Sequence, residues 1–395
     1  MLKHLFKSIW KRKKSNSLII AEVSIAFIIV FAIALMAIRN YSLYNEPLGF
    51  DYEDRWNIQL RAISGSWEEN LNADQLKALL VQLKQQAEIE NVHLLKNPTF
   101  QNWSSISDYE LNGRNISFMS NLMDDDAPKD FGVKLVEGRW FGQLDKGQPY
   151  EPVIVNQLFA QRYFNERNAI GQNIADIKSE NKTEIRIVGI YENFRQIGEL
   201  NRVQPYVIYQ YDKMQNERIN NIEIKLKKGI TRNYEEKLTL ILTGVAPNTE
   251  FTVTPWDVRR KSMLEETFFP LIFASIIGAF FILLVALGLF GVLWQNVTSR
   301  TPEIGLRRAL GATAKGIQIQ IITELIIVTI LGMIIALVLL IQLPILGFIP
   351  EITWSLFWSA QLSATLFMLL LAVLCAYYPG KLATQLLPAE ALHYE

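Results

Sequence analysis

Four apolar runs decide what this chain can become. Residues 17–38 carry a single charged side chain, Glu22; 22 residues of helix span about 33 Å, enough to cross the hydrocarbon of a bilayer. Residues 268–294 carry none, and 317–343 carry only Glu324. The fourth run, 361–379, is shorter and closes at Pro379. Buried helices of water-soluble proteins rarely stay this long without charge, so all four read as transmembrane helices.

The first run has a basic flank, and Ala32-Ile33-Ala34 has the small-residue look of a signal-peptide cleavage site. Those alanines lie inside the apolar stretch, which also exceeds the roughly 7–15 residues of a signal-peptide core. An uncleaved anchor is the better reading. Ahead of it, residues 1–16 place Leu2, Leu5, Phe6, Ile9 and Trp10 at helical spacing among Lys3, Lys7, Lys11, Arg12, Lys13 and Lys14. The pattern suits an amphipathic helix on an anionic leaflet, with membrane lipid as its partner, or a basic flank that only sets topology.

Basic residues favour the cytoplasmic side of membrane helices. With residues 1–16 inside, helix 1 (17–39) leads out, helix 2 (268–294) returns, helix 3 (317–343) leads out and helix 4 (361–379) returns. The loop 295–316, with Arg300, Arg307, Arg308 and Lys315, then lies in the cytoplasm, while the outside loop 344–360 holds no Lys or Arg. Both termini, including the tail 380–395, are expected inside.

The piece between helices 1 and 2, residues 40–267, is expected outside the membrane and reads as α+β. Residues 56–63 suit a strand, and 72–87 an amphipathic helix with Leu76, Leu79, Leu80 and Leu83 on one face. Asn112-Gly113 marks a hairpin turn. An apolar strand at 152–155 leads into a helix through Phe159 and Tyr163; "EIRIVGIYENF" is a strand; "NIEIKLKKG", "NYEEKLTLILTGV" and "EFTVTPW" read strand–helix–strand. The piece is long enough for a sizeable core, in one lobe or two. Residues 257–267 look helical and feed directly into helix 2. The fold class is thus a membrane protein of four transmembrane α-helices plus an α+β extracytoplasmic domain inserted between helices 1 and 2.

No catalytic signature is present. Lys+Arg and Asp+Glu balance at 39 each, which gives no reason to expect nucleic acid. The sequence has no GxxxxGK[ST] phosphate loop, HExxH, CxxC or GxSxG. His4, His93 and His393 are scattered, and the single cysteine, Cys375, has no intrachain partner for a disulfide. The acidic run 124–126 lacks the alternating ligands, glycine and closing Glu of a calcium loop and reads as a solvated turn. The chain is expected to be no enzyme and to hold no cofactor or metal of its own.

The stretch "SRTPEIGLRRALGAT", 299–313, asks for more than topology. Pro302 suits a first helical turn, and Glu303 complements the positive helix start. Ile304, Leu306, Ala309 and Leu310 supply apolar contact, Arg307 and Arg308 sit nearer the C-terminal end, and Gly311 is placed to stop the helix. A topology-setting loop needs only the arginines. A two-turn helix with start and stop signals suits a docking knob for a cytoplasmic partner.

This stretch, continued as "RTPEIGLRRALGATAKGIQIQIITELIIVTILGMIIAL", resembles the signature of the FtsX/MacB-like ABC transporter permeases. The match runs through Arg300, Thr301, Glu303, Ile304, Gly305, Arg307, Arg308, Ala309, Gly311, Ala312, Ile317 and Glu324. The tail "YYPGKLATQLLPAEALHYE" resembles the family's ending through Tyr378, Pro379, Ala383, Leu387, Pro388, Glu390, Ala391 and Leu392, and "EPVIVNQLFAQRYF", "AIGQNI" and "EIRIVGIYENFR" look like its periplasmic core. The paired glycines often found in the family's third helix are reduced to Gly332, and no ATPase domain is fused to the sequence.

The resemblance implies a permease subunit of an ABC transporter in a bacterial inner membrane, paired with a second copy or a homologous permease. Cytoplasmic ABC ATPase subunits would carry ATP and Mg, and Arg300–Ala312 would be the coupling helix that contacts them. Their closure would pass through bundle and stalk to the outer domain for export, lipoprotein release or peptide efflux (mechanotransmission), with a periplasmic adaptor or enzyme as a further partner. Within the same architecture, the outer domain could instead activate a periplasmic envelope enzyme such as a cell-wall hydrolase. An ATPase-independent membrane sensor would need neither helices 3 and 4 nor the 300–312 helix.

Two carboxylates and two pairs of small residues stand out inside the membrane. Glu324, about 10 Å into helix 3 from Ile317, needs a partner: an interhelix hydrogen bond, a part in coupling and ion handling are all open. Glu22 reads as hydrated near the interface. Ala274 with Gly278, and Gly332 with Ala336, have the spacing for close helix packing, either within the chain or as a dimer face.

Overall fold

The computed structural model describes residues 13–62, 73–101, 105–145, 147–164, 169–174, 184–211, 220–347, 349 and 351–385. The amphipathic segment expected before residue 13, and the tail residues Leu387, Pro388, Glu390, Ala391 and Leu392, lie outside the described residues. The chain forms two compact units, one of Leu43–Thr267 and one built from the sequence before and after it. The first apolar run becomes α1 (Lys13–Tyr44), 32 residues long. Val23, Ala26, Phe27, Val30 and Phe31 recur at three- and four-residue spacing and are buried.

The inserted unit is organised on one sheet. In chain order it comprises β1 (Arg55–Ala62), α2 (Ala73–Lys84), β2 (Ile89–Leu95), β3 (Ser105–Leu111), β4 (Arg114–Met123), α3 (Ala127–Asp130), β5 (Leu135–Gly138), β6 (Glu151–Asn156), α4 (Gln157–Tyr163), β7 (Ile185–Tyr191), β8 (Tyr206–Gln210), β9 (Asn221–Leu226), α5 (Tyr234–Val245) and β10 (Thr249–Pro255). The strand order is β10-β1-β9-β2-β4-β8-β6-β7-β5, with β3 paired to β4 off that path. β2 and β4 share one residue pair, Leu95 with Met123, so the sheet narrows there without dividing. Asn112 (φ 52) and Gly113 (φ 72) both take positive φ between β3 and β4, the conformation that a two-residue type I′ turn requires.

Successive side chains of a strand face opposite ways. Val153 and Val155 therefore join a core with Leu79 and Leu83 of α2 and Leu238 and Leu242 of α5, while Ile154 between them joins Phe100, Phe131, Tyr191 and Trp256. Both faces of the sheet are covered.

After the sheet come α6 (Trp256–Thr298), α7 (Thr301–Ala309), α8 (Ala314–Leu340), α9 (Gln342–Leu346) and α10 (Trp354–Gln385). α6 is one 43-residue helix with Pro270 inside it, and it starts at Trp256, buried in the aromatic core of the inserted domain. Residues 344–360 are not simply a loop, as the sequence suggests: α9 enters them and α10 begins seven residues before 361. The Thr353 hydroxyl accepts the Leu356 N–H at 3.3 Å, which caps α10, and Phe357 is fully buried against Phe31. Nor does Pro379 close the fourth helix, which runs on to Gln385. Proline removes one backbone donor, a loss that packed membrane helices can absorb.

Of the small residues singled out in the membrane segments, Gly278, Gly332 and Ala336 pack within the chain, while Ala274 is exposed. A Cβ on Gly278 would lie 2.5 Å from Ile33 Cδ1, and one on Gly332 would lie 2.8 Å from Val23 Cγ1 and 3.0 Å from the Ile20 carbonyl. Ala336 is fully buried. Gly278 and Gly332 thus both meet α1 within the chain.

Candidate functional site

α7 is short, and its ends explain why it forms. Pro302 occupies the first turn, Glu303 sits at the positive end, and Arg307 and Arg308 fill the last turn. Gly311 takes φ +97; its N–H donates to Arg308 O at 3.1 Å and the Ala312 N–H to Arg307 O at 2.9 Å. Those two bonds form a Schellman stop, which glycine enters without Cβ strain. Thr313 then caps α8 by accepting the Gly316 N–H at 3.2 Å.

The apolar residues of α7 divide into a buried and an exposed set. Ile304 and Gly305 are buried, but Leu306 is 52% and Leu310 80% exposed, and Ala309 and Ala312 are exposed beside them. Ile304 is the apolar side chain that α7 buries among the described residues. Arg308 is half-buried, and the Thr301 hydroxyl donates to Thr298 O at 2.9 Å.

The polar residues form a continuous relay from α7 to α8. Glu303 Oε1 accepts from Arg307 Nη2 at 2.5 Å, Arg307 Nη1 donates to Gln320 Oε1 at 3.1 Å, and Gln320 Nε2 donates to Glu324 Oε1 at 3.1 Å. Glu324 Oε2 closes the relay on Arg300 Nη1 at 2.8 Å. The two ion pairs differ in weight. Glu303 and Arg307 are half-exposed, where such a pair contributes little, whereas Arg300 and Glu324 are 18% and 20% exposed and less screened. Glu324 is thus the acceptor of an inter-element ion pair. Beneath the relay lies a cavity of about 70 Å³, with an apolar floor that includes Ile19, Leu293, Ile321 and Val328.

Glu22 is half-buried. Its Oε2 is buried and accepts no hydrogen bond among the described residues, and a Cβ on Gly288 would come within 2.9 Å of it. The carboxylate fits the notch that Gly288 leaves.

Comparison with known proteins decides the family. A model described as MacB-like periplasmic core domain matches residues 19–241, more than half the chain, and one described as FtsX-like permease C-terminal matches 275–388. The chain belongs to the MacB/FtsX-like permease family. Among curated relatives, the macrolide export ATP-binding/permease protein MacB of Salmonella typhimurium is 24% identical over 290 residues, covering 71% of this chain and 44% of the relative. MacB of Aggregatibacter actinomycetemcomitans is 26% identical over 207 residues, covering 51% and 31%. This permease thus spans less than half the length of those relatives. Two solved structures are similar over the inserted domain. The periplasmic region of MacB from Actinobacillus actinomycetemcomitans matches at TM-score 0.39 and 17% identity, covering 56% of this chain and 97% of that one. The extracellular domain of the noncanonic ABC-type transporter YknZ matches at TM-score 0.32 and 10% identity, covering 50% and 99%. The permease is a membrane protein with four apolar helices long enough to span and an α+β extracytoplasmic domain between the first two.

The permease also holds buried polar groups that the sequence leaves unmarked. His93 lies between Asp124, 2.9 Å from Nδ1, and Asp130, 3.1 Å from Nε2. Arg55 donates to Asp130 at 2.8 Å. Burial alone would lower the His93 pKa; the two carboxylates outweigh it and raise the pKa to about 9. Burial likewise works against the Asp130 charge, but His93 and Arg55 hold its carboxyl well below the usual range. The run 124–126 is a bend that is solvated only in part: Asp126 is exposed, but Asp124 also accepts the Leu94 and Ala127 N–H groups, and Asp125 accepts from Gln210 at 2.7 Å. Opposite His93 in the β2–β9 register is Glu223, fully enclosed, which accepts from Asn57 at 3.0 Å and from the Trp256 indole. Burial pushes its pKa up to about 8 despite Arg259, Trp256 and Asn57. These partners lie 31 to 166 residues apart, so only the fold brings them together.

Proposed function

We propose that this permease transmits the ATP-driven movement of a cytoplasmic ATPase to its outer domain, for export, lipoprotein release or peptide efflux, without hydrolysing ATP itself. α7 is the docking knob, and ATP and Mg belong to the ATPase. The observation that carries this reading is the relay Glu303–Arg307–Gln320–Glu324–Arg300. Through it a push on α7 reaches α8 by direct bonds, while the exposed Leu306 and Leu310 remain available for a partner. The continuous α6 supports onward transmission, because it begins inside the outer domain's core. Stiff helices can carry displacement across about 30 Å of hydrocarbon without a pore. The relatives' name, ATP-binding/permease protein, pairs the same two activities. The loop 295–316 and both termini are on the cytoplasmic side of the inner membrane, and two permeases act together.

The test replaces Glu303 and Arg307 together by Ala. Membrane insertion and expression should match the parent, while co-purification of an ATPase, or its stimulation, should fall at least tenfold. Unchanged recovery and activity would remove the docking assignment. In the coupled complex, a rise in ATPase rate on adding cargo marks transport; a response to a periplasmic hydrolase marks regulation.

A further inference from the structure

The inserted domain leaves α1 at Tyr44 through an irregular stretch, residues 45–54, and joins α6 at Trp256. One loop between β7 and β8 touches both connections. Arg195, 3% exposed, spends all five guanidinium N–H groups on main-chain oxygens. Nε donates to Pro47 O at 3.3 Å; Nη1 to Leu43 O and Glu199 O, each at 2.6 Å; Nη2 to Pro47 O at 3.0 Å and to Glu46 O. Leu43 O is among the final carbonyls of α1, which lack partners inside the helix and favour a cation. The Arg195 N–H also donates to Leu48 O at 2.9 Å. Gly49, at φ +84, admits this approach, since a Cβ there would lie 2.6 Å from Asn193 O.

Four residues on, the loop holds the other connection. Glu199, its side chain 4% exposed, accepts from Arg260 Nε on α6, and Arg260 lies over the Tyr52 ring at 4.8 Å. The contacts close a ring: 43–52 to Arg195, Arg195 to Glu199, Glu199 to Arg260, and Arg260 back to Tyr52. We infer that residues 193–200 form a clasp that makes the two connections of the inserted domain move as one, with Arg195 as its positioning residue. Without it, the irregular stretch after Tyr44 would act as a hinge and absorb a displacement of α1. The inference rests on the transmission reading above, because a clasp matters only where movement passes through. Lysine cannot replace Arg195, having three donors and no planar fork.

The test compares hydrogen exchange in the full-length parent, Arg195→Lys and Glu199→Gln, alone and with the co-purified ATPase plus a non-hydrolysable ATP analogue. Without nucleotide, Arg195→Lys should exchange at least tenfold faster across 43–52 while β6 and β8 stay protected. Glu199→Gln, which keeps an acceptor for Arg260, should loosen the first turns of α6 several-fold and leave 43–48 protected. With nucleotide, parent α7 and the outer domain should both respond, whereas in Arg195→Lys only α7 should. An outer-domain response equal to the parent's in Arg195→Lys would overturn the clasp, as would unchanged exchange at 43–52 without nucleotide. A parent whose α7 ignores nucleotide would defeat the transmission reading instead, leaving the clasp to be judged on the nucleotide-free exchange.

Discussion

His93 gives the inserted domain a pH signature whose sign follows from its neighbours. Its pKa rises from 6.5 in the open chain to about 9 in the fold, so the folded state holds the proton more tightly. The resulting stability is complete below about pH 6.5 and is lost as pH climbs through 9; a shift of this size corresponds to about 3 kcal/mol. Glu223 acts in the same direction, since its pKa rises from 4.5 to about 8 and its ionisation costs the fold. Asp130, depressed below 3.8, acts oppositely: its stability is present above that value and disappears in acid. The melting temperature of the outer domain should therefore decline from about pH 4.5 to 9, through Glu223 first and through both groups above about pH 6.5, and decline again below about pH 4. In His93→Gln much of the alkaline slope should vanish. Melts of the full chain across that range check this, and a parent profile flat from pH 6.5 to 9 contradicts it.

At the scale of elements, packing assigns the membrane glycines different duties. Gly332→Ala would push a methyl against the stiff Val23 side chain and the Ile20 carbonyl, and should cost about 1–3 kcal/mol. Gly291, with nothing within 4 Å, should accept Ala neutrally or gain up to about 1 kcal/mol in helix propensity. Thermal unfolding in detergent distinguishes the pair; equal stabilities would return Gly332 to the list of dimer-face candidates. The elements themselves were legible where one physical signal dominated. Length and absence of charge mark the spans, the Asn-Gly turn marks the β3–β4 hairpin, and Pro302 with Gly311 brackets α7. Legibility failed where tertiary contact decides. The sequence reading assigns no element to β2, because Asn91 and His93 look like surface residues until the fold supplies their partners. The start of α10 hides in Thr353, one cap among aromatic residues that resemble an interfacial loop. Apolarity alone does not divide Ile304, which α7 buries, from Leu306 and Leu310, which stay exposed.

For the whole molecule, transmission demands that the α7 knob and the inserted domain lie on opposite sides of one membrane. Charge places them so: Arg300, Arg307, Arg308 and Lys315 cluster in 295–316, which favours the cytoplasmic side, while 344–360 has no basic residue. Cys375 is the only cysteine, so a Cys375→Ser background permits single reporters at Lys315, beyond α7, and at Lys261, 77% exposed in the inserted domain. An impermeant thiol reagent added to intact cells should label the Lys261→Cys chain and spare Lys315→Cys until the membrane is opened. Equal labelling of both in intact cells would place knob and domain on one side, and no movement of rigid helices could then connect a nucleotide-driven motor to an outer lobe. With the sides established, Leu306→Asp together with Leu310→Asp tests what the knob meets. Both leucines are exposed, so thermal stability should change by less than about 0.5 kcal/mol, whereas ATPase recovery should collapse. Ile304→Ala, which empties a buried site on the same helix, should cost stability first. If the exposed leucines tolerate charge with full ATPase recovery, the push enters this molecule somewhere other than α7.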